Sequence, residues 1–457
     1  MGVTAELSEF VAALRIEVLP PPLIERACQL VLDLVGNIVR AHSVESTPAL
    51  KAAVRDLGLT GGHCHVFGDA ASYAPAGAAL VNGVLAHSLD FDDTHAESTL
   101  HPGAPVIPAA LAAAEMGAHS GATALAGIIA GYEVTCRLGV ALPGAAHYAR
   151  GFHPSSTCGA FGAAAAAARI FGLDSRGVSA ALGIALSQSA GTLQFLENGA
   201  WTKRFQVGWA AMAGLGAAIL AREGFKGAEP ALEGRYGFLN TYAPAPTPER
   251  ATVDLGRRYE IMATGVKPYP SCRYGHAGID AALALRLEHE LTAEQIESVV
   301  YGLSHAGMRL VASPPERKAA PANIVDAQFS APFLLAVALA SGRMDWDSYA
   351  RLDDAQVRAL AQRVRCEHDA EIEAQYPVNM SGKLTIHARG QRFVKTVIVP
   401  KGEPGNFLTA EELRRKFTAL ALPTLGAEST ARLATAILEM PRAQGVAELF
   451  GSATVAS

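Results

Sequence analysis

The chain has 457 residues, which is long enough to bury a large core and to form more than one domain. Half of its residues are hydrophobic but only 7% are aromatic, so small aliphatic side chains, mostly alanine, must build that core. The formal net charge of −5 provides no basic face for nucleic acid. No apolar run approaches the roughly 20 residues that cross a bilayer without polar interruption, so we expect no membrane segment.

The N-terminal residues and the cysteines both indicate a cytoplasmic protein. Glu6, Glu9 and Glu17 interrupt the apolar N-terminal segments, which argues against a signal peptide. The six cysteines, at positions 28, 64, 136, 158, 272 and 366, are scattered singly without a CxxC pair. This spacing argues against zinc ribbons and clustered iron–sulfur ligands, and it favours buried free thiols in a reducing compartment.

Apolar residues recur at helical spacing up to about residue 250 and again after residue 406. Helices are predicted at 4–41, 47–57, 74–88, 105–117, 121–139, 157–171, 177–190, 207–223, 409–420 and 426–440. Between these two regions, β-branched residues alternate in Ile296–Leu303, Gly382–Ala388 and Phe393–Pro400, which predicts strands. Helices at 323–340 and 353–364 are expected between the strands.

These patterns predict a mainly α protein with an α+β second domain. A large all-helical domain would be built from both chain ends, residues 1–264 and 401–457, and a smaller α+β lid domain, residues 265–400, would be inserted between them. The cleft between two such domains is the usual place for a small-molecule site.

The segment His87–Pro108, HSLDFDDTHAESTLHPGAPVIP, concentrates polar side chains between alanine-rich runs, in a chain that is only 18% charged. Its titratable residues are His87, Asp90, Asp92, Asp93, His95, Glu97 and His101. Unpaired carboxylates are costly beside apolar helices, so they must be solvated, paired, metal-bound or catalytic. A solvated connector whose aspartates cap the neighbouring helices is one interpretation. Clustered titratable groups favour the other, a functional site.

Two further segments carry candidate residues at predicted helix breaks. His153 lies where the GFHP sequence interrupts the helical pattern, beside a run of hydroxyl residues, where it could also serve only as a cap or a packing residue. Lys203 and Arg204 precede the helix predicted at 207–223. Adjacent cations at a helix start oppose the helix dipole, and such local conflicts concentrate at functional sites. A surface pair is the alternative.

Three kinds of chemistry fit the acidic stretch. Asp92, Asp93 and Glu97 loosely resemble the acidic magnesium motif of terpene synthases, but a second acidic cluster with suitable spacing is missing. The cysteine spacing disfavours an iron–sulfur hydratase. Metal-free acid–base chemistry by carboxylate, imidazole and ammonium groups is the third, and we therefore expect no metal dependence. The candidates for it are Asp90, His101, His153 and Lys203.

Seven motifs run in order over nearly the whole chain: HSLDFDDTH…HPG, GFHPSSTCGAFGAAAAAARIFGLD, KRFQVGWAAMAGLGAAILAREGF, EGRYGF, KPYPSCRYGHAGIDAA, AQFSAPF and KGEPGNFLTAEELRRKF. Together they closely resemble the MmgE/PrpD family, which includes 2-methylcitrate dehydratases, cis-aconitate decarboxylases and iminodisuccinate epimerases. The resemblance implies a helical domain with an α+β lid, a homodimer, and catalysis without a metal or an organic cofactor.

The resemblance also implies site residues. Asp90, His101, His153 and Lys203 would be catalytic, and Thr94, Lys267 and His276 would bind substrate. The chain departs from the family pattern at Gly103, within HPGAP where methylcitrate dehydratases have HPSDN, and at Phe333, where the decarboxylases have a site tyrosine. Gln206 replaces the histidine that usually follows the Lys–Arg pair.

We therefore predict a lyase acting on a small di- or tricarboxylate, with 2-methylcitrate dehydratase-like proton transfer at a carbon next to a carboxylate. His101 and His153 are candidates for the two proton transfers, Asp90 for holding an imidazole in one tautomer, and Lys203 for binding a carboxylate. A cis-aconitate-type decarboxylase and an iminodisuccinate-type epimerase are the enzymatic alternatives. A non-catalytic helical protein that binds carboxylates is the alternative outside enzymes.

Overall fold

The computed structural model describes residues 2–451 and divides the chain into two compact units. Both chain ends, Met1–Thr264 and Thr409–Ser457, form the first unit, and the segment between them, Gly265–Leu408, forms the second. The first unit is helical, whereas the second combines helices with a four-stranded sheet. The predicted fold class is therefore confirmed.

Ten helices of ten residues or more build the described part of the first unit. They are Val3–Ala13, Pro21–Arg40, Thr47–Asp56, Pro75–Ala86, Gly103–Met116, Gly121–Ala141, Gly159–Ile170, Ser175–Leu186, Thr202–Arg222 and Ala410–Leu438. Shorter helices include Gly144–Ala149, Pro154–Thr157, Phe238–Tyr242 and Ala447–Gly451, and short strands lie at Thr60–His65, Ser72–Tyr73, Thr94–His95 and, at the unit boundary, Thr264–Gly265. The last long helix bends at Gly426, whose φ of 75° is non-helical, and this bend separates the two helices predicted there.

Small residues let the helices around the polar stretch approach closely. A Cβ at Gly83 would lie 2.7 Å from the Cα of Gly208, and one at Gly208 would lie 2.6 Å from the Leu80 carbonyl oxygen. The helices Pro75–Ala86 and Thr202–Arg222 therefore touch through their backbones. This contact holds together the helix that leads into the polar stretch and the helix that carries Lys203.

The second unit is organised around a sheet of four strands. In spatial order the strands are Val364–His368, Ile296–Leu303, Gly382–Ala388 and Gln391–Val397. The first pair is parallel and the other two pairs are antiparallel. The main helices are His276–Glu288, Ala331–Ser341 and Ala355–Ala361, with short helices at His305–Gly307, Pro315–Ala319, Ile324–Gln328 and Ala370–Glu373. The helix predicted at 323–340 is thus interrupted after Gln328.

Two helices are long and apolar enough, by length and composition, to cross a membrane. They are Gly121–Ala141, which is buried throughout its apolar window, and Thr202–Arg222, 56% of whose window is buried. Both helices contain charged residues, so neither is an apolar run without polar interruption. A buried core helix passes the same test, and Gly121–Ala141 places Glu133 and Arg137 in a buried ion pair.

Candidate active site

The polar stretch forms a buried loop between the helices Pro75–Ala86 and Gly103–Met116. Asp90 has a φ of 51°, the left-handed region that side chains other than glycine rarely adopt. Aspartate tolerates this conformation better than most residues, and the turn separates its side chain from those of Asp92 and Asp93. Such local strain is found preferentially at functional sites.

Asp92 is the carboxylate that holds the imidazoles. Its Oδ2 lies 2.8 Å from Nδ1 of His87 and 3.4 Å from Nδ1 of His101. The two imidazoles hold the pKa of Asp92 well below its usual value against the opposing effect of burial, so the carboxylate is ionised and accepts the Nδ1–H of His87. Burial lowers the pKa of His87 to about 4, and this ring is neutral at pH 7.

His101 has its own backbone partner. Its Nδ1 lies 2.8 Å from the carbonyl oxygen of Asp93, which can only accept, so Nδ1 carries a proton. The rings of His87 and His101 meet edge to face, with centroids 4.7 Å apart. The backbone N–H of His101 donates to the Ser155 hydroxyl at 3.0 Å, which links the loop to the short helix after His153.

His153 joins the same cluster from another segment. Its ring lies 6.0 Å, centroid to centroid, from that of His87 and is nearly parallel to it. Nδ1 lies 2.8 Å from Oε1 of Gln206. His153 precedes the helix Pro154–Thr157 without a capping hydrogen bond from its side chain, so the capping role considered for it is wrong. Burial, and secondarily the neighbouring His87 and Lys203, lowers the pKa of His153 well below its usual value.

Lys203 reaches the loop through Asp90. Its Nζ donates to Oδ1 of Asp90 at 2.7 Å, and both side chains are mostly buried. The role expected for Asp90, holding an imidazole, is filled by Asp92, because the left-handed turn directs Asp90 to Lys203. The helix begins at Thr202, five residues earlier than predicted, so Lys203 and Arg204 lie in its first turn.

Asp93 and Gly103 account for a departure from the family pattern. Oδ1 of Asp93 accepts the N–H of Gly103 at 3.1 Å, and Oδ2 accepts the Tyr132 hydroxyl at 2.7 Å. A Cβ at Gly103 would lie 2.6 Å from the Tyr132 oxygen and 2.7 Å from Oδ1 of Asp93. Any side chain at this position would have to displace Asp93 or Tyr132. Asp93 also serves the helix-capping role considered for the aspartates, because it accepts the first N–H of the helix Gly103–Met116.

Replacing Asp93 by asparagine should change the pH dependence of stability. Burial, together with the charge of Asp92, raises the pKa of Asp93 to about 8. A raised carboxyl pKa stabilises the fold below about pH 4 and loses that contribution as the pH rises to about 8. An asparagine side chain cannot titrate, so the free energy of unfolding of Asp93→Asn, relative to that of the parent, should increase over this window, with a slope of at most about 1.4 kcal/mol per pH unit. Urea unfolding at pH 5 and pH 8 measures it; a constant difference would contradict the raised pKa.

The residues expected to bind substrate fall in both units. The Thr94 hydroxyl is buried in the first unit and has no hydrogen-bond partner among the described residues. Lys267 and His276 are buried in the second unit, where the His276 Nε2 donates to the Ser271 carbonyl at 3.2 Å. Phe333 is also buried in the second unit and packs in its core with Tyr349.

Two groups of side chains within residues 2–451 place enough donor atoms together to hold a metal ion. They are His87, Asp92 and His101 in the first unit, and His305, His368 and Glu373 in the second. In the first group the Nδ1–H of His87 that donates to Asp92 occupies the position a metal would need on that nitrogen. Its ring could bind a metal only through Nε2, which is buried without a hydrogen-bond partner among the described residues.

The first unit thus brings together His101 and His153, which flank His87, and separately pairs Lys203 with Asp90. Lys203 also lies close enough to lower the pKa of His87 and His153. His87 and Asp92 were not selected as site residues from the sequence. Both lie in the polar stretch. The spacing of five residues between the His87 imidazole and the Asp92 carboxylate was the signal in the sequence that could have indicated their pairing.

Comparisons with known proteins identify the family of the chain. The MmgE/PrpD N-terminal domain matches residues 5–251, and the MmgE/PrpD C-terminal domain matches residues 269–440. The cis-aconitate decarboxylase-like protein oryM of Aspergillus oryzae is 29% identical over 98% of this chain and 96% of its own length. The cis-aconitate decarboxylase of Aspergillus terreus is 28% identical over 92% and 89%. The mouse cis-aconitate decarboxylase is 28% identical over 79% and 75%. The chain therefore belongs to the MmgE/PrpD family and is a lyase.

Proposed function

We propose that the chain is a decarboxylase of the cis-aconitate type, acting on a small unsaturated tricarboxylate. The observation that carries the proposal is the grouping of two buried imidazoles and one partly buried imidazole, each with its Nδ1 engaged, beside the Lys203–Asp90 pair. The curated relatives that match most of the chain are named for cis-aconitate decarboxylation. We therefore favour this reaction over the 2-methylcitrate dehydratase-like reaction expected from the sequence.

The reaction needs one proton at carbon and support for negative charge. When a carboxylate leaves as CO2 from the carbon next to the double bond, the electron pair of the broken C–C bond spreads over three carbons. A proton added to the far carbon shifts the double bond and completes the product. The site must therefore hold the remaining carboxylates, stabilise the developing charge and supply this proton.

His153 is suited to deliver the proton. With Nδ1 engaged by Gln206, its Nε2 is the nitrogen left to exchange a proton. The low pKa of the buried ring makes its protonated form a strong acid, which favours transfer to carbon. The substrate carboxylates would raise that pKa on binding, so the imidazole takes up its proton together with the substrate.

Lys203 and His101 are suited to hold the carboxylates. The Lys203 ammonium has three N–H donors, so it can bind a carboxylate while it still donates to Asp90. His101 holds its Nδ1–H on the Asp93 carbonyl, so its Nε2 is the ring nitrogen left to contact the substrate.

Incubation with candidate polycarboxylates tests the proposed function. The purified protein should release CO2 from cis-aconitate, measured with a coupled assay, and should do so equally after exhaustive chelation. Dehydration of 2-methylcitrate without CO2 release from cis-aconitate, followed by ultraviolet absorbance of the unsaturated product, would replace decarboxylation by dehydration as the reaction. Activity lost on chelation and restored by one divalent ion would overturn the metal-free chemistry.

We also propose that the chain forms a homodimer, as the family resemblance implies. Trp201, Phe205 and Trp209 recur at four-residue spacing along the start of the helix Thr202–Arg222 and are 42%, 44% and 37% exposed. Adjacent exposed aromatics on one helix face are typical of an interface. Sedimentation should give a dimer at micromolar concentration and a monomer for Phe205→Glu/Trp209→Glu. A monomeric parent protein would contradict the proposal.

A further inference from the structure

The side-chain amide of Gln206 is fixed at both ends. Its Nε2 donates to the carbonyl oxygen of Thr192 at 2.9 Å, and its Oε1 lies 2.8 Å from Nδ1 of His153. A carbonyl oxygen only accepts, so the Thr192 contact determines which end of the amide carries the nitrogen. Oε1 must therefore face His153, and Nδ1 of the imidazole must carry a proton to donate to it.

The surrounding backbone keeps this amide in place. The His153 N–H donates to the Gly191 carbonyl at 3.1 Å, and the Ser156 hydroxyl lies 2.6 Å from the Ala190 carbonyl and 2.9 Å from the Gln206 carbonyl. Gly191 has a φ of 135°, and a Cβ there would lie 3.1 Å from Oε1 of Gln206. Only glycine fits this position, so the segment before Thr192 is shaped to the glutamine side chain.

Gln206 differs from a histidine or a glutamate at this position because its side chain cannot ionise. A histidine, which the family pattern has at this position, can titrate and can present either a donor or an acceptor to its neighbour. A glutamate would carry a negative charge and stabilise the protonated imidazole. A glutamine held by Thr192 can do neither, and it presents a fixed acceptor to His153 at every pH.

We propose that Gln206 is a positioning residue that fixes His153 as the tautomer with its proton on Nδ1 and leaves Nε2 to exchange protons with the substrate. Gln206 acts through His153 and does not itself touch the reacting atoms. The inference deepens the proposed function and rests on it for the role of His153, but the tautomer itself is a property of the free protein.

Nitrogen NMR of the histidines tests the tautomer without any substrate. In the parent protein, the His153 resonances, assigned by comparison with His153→Ala, should show a protonated Nδ1 and an unprotonated Nε2. Gln206→Met, which keeps the length of the side chain but removes the acceptor, should give a mixture of the two tautomers. A parent protein with the proton on Nε2, or a Gln206→Met protein that keeps pure Nδ1–H, would overturn the proposal.

The pH dependence tests the importance of the neutral partner. Gln206→Glu places a carboxylate on Nδ1, so the titration midpoint of His153 should rise by about 1–3 pH units, as expected for an ion pair at this distance. The high-pH limb of the rate profile, where a general acid loses its proton, should shift in the same direction, and kcat should fall more than KM changes, because the imidazolium becomes a weaker acid. An unchanged His153 titration in folded Gln206→Glu would contradict the proposal.

Gln194→Glu is the matched control. Gln194 is exposed in the same segment, and its replacement adds an equal charge without contacting His153. It should leave the His153 titration and the rate profile unchanged. If the protein lacks decarboxylase activity altogether, the proposed function fails while the NMR results still decide the role of Gln206.

Discussion

His153→Ala should lower turnover by about 10²–10⁴-fold, the contribution expected of one positioned acid or base. The loss should appear in kcat, because the group that protonates carbon acts in the transition state rather than in substrate binding. The midpoint of urea unfolding should change little, since the only side-chain hydrogen-bond partner of His153 among the described residues is the Gln206 amide, which is partly exposed and can bind water instead. Steady-state kinetics and urea unfolding of the same preparation measure both quantities.

His147→Ala is the matched control for this change. His147 is also fully buried, six residues earlier in the chain, but both of its ring nitrogens are engaged: Nδ1 with the Tyr242 carbonyl and Nε2 with the Thr157 hydroxyl, each at 3.1 Å. Its removal should cost stability, about 1–3 kcal/mol for partners left unpaired, with turnover per folded enzyme preserved. The reverse pattern, near-normal turnover and a large stability loss for His153→Ala, would make His153 a structural residue.

The helical architecture could be predicted because its signal is local. Apolar spacing of three to four residues identified the helices of the first unit, and alternation identified the strands Ile296–Leu303 and Gly382–Ala388. The strand Val364–His368 was missed, since Val364 is its only buried residue and its sequence carries no alternation. It is a strand because Ile296–Leu303 provides a parallel partner distant in sequence.

The sequence also predicted most residues of the site, but it did not predict which aspartate pairs with Lys203 and which with the imidazoles. Three aspartates within four residues compete for the same imidazoles, and the choice depends on the backbone. The left-handed turn at Asp90 directs it to Lys203 and leaves Asp92 for the rings. The early start of the helix Thr202–Arg222 has the same origin, since the cation disfavoured in its first turn is compensated by an aspartate more than a hundred residues away.

Lys416→Met should destabilise the first unit by about 3–5 kcal/mol, the usual result of removing one partner from a buried ion pair. Lys416 Nζ lies 2.5 Å from Oδ1 of Asp33, and both side chains are buried. The methionine fills similar space, so the loss reports the charge left on Asp33. The midpoint of urea unfolding should fall without a change in its slope.

The double variant separates the ion pair from packing. Asp33→Leu/Lys416→Met removes both charges and should recover much of the stability, because a well-packed apolar pair avoids the desolvation of two ions. Arg432→Met is the surface control on the same helix. Its exposed pair with Glu428 should contribute at most about 1 kcal/mol. A Lys416→Met protein as stable as Arg432→Met would contradict the buried-pair argument.

Lys416→Met should also disturb the loop that carries Asp90 and Asp92. Lys416 Nζ donates to the Phe91 carbonyl at 2.7 Å and lies 3.8 Å from the centroid of the Phe91 ring. Phe91 stands between Asp90, which pairs with Lys203, and Asp92, which holds the imidazoles. The helix Ala410–Leu438 therefore contacts the loop at Phe91, the residue between its two functional carboxylates.

Lys416→Met should lower kcat even at temperatures where the variant is fully folded, whereas Arg432→Met should not. Equal kcat in the two folded variants would show that Lys416 serves stability alone.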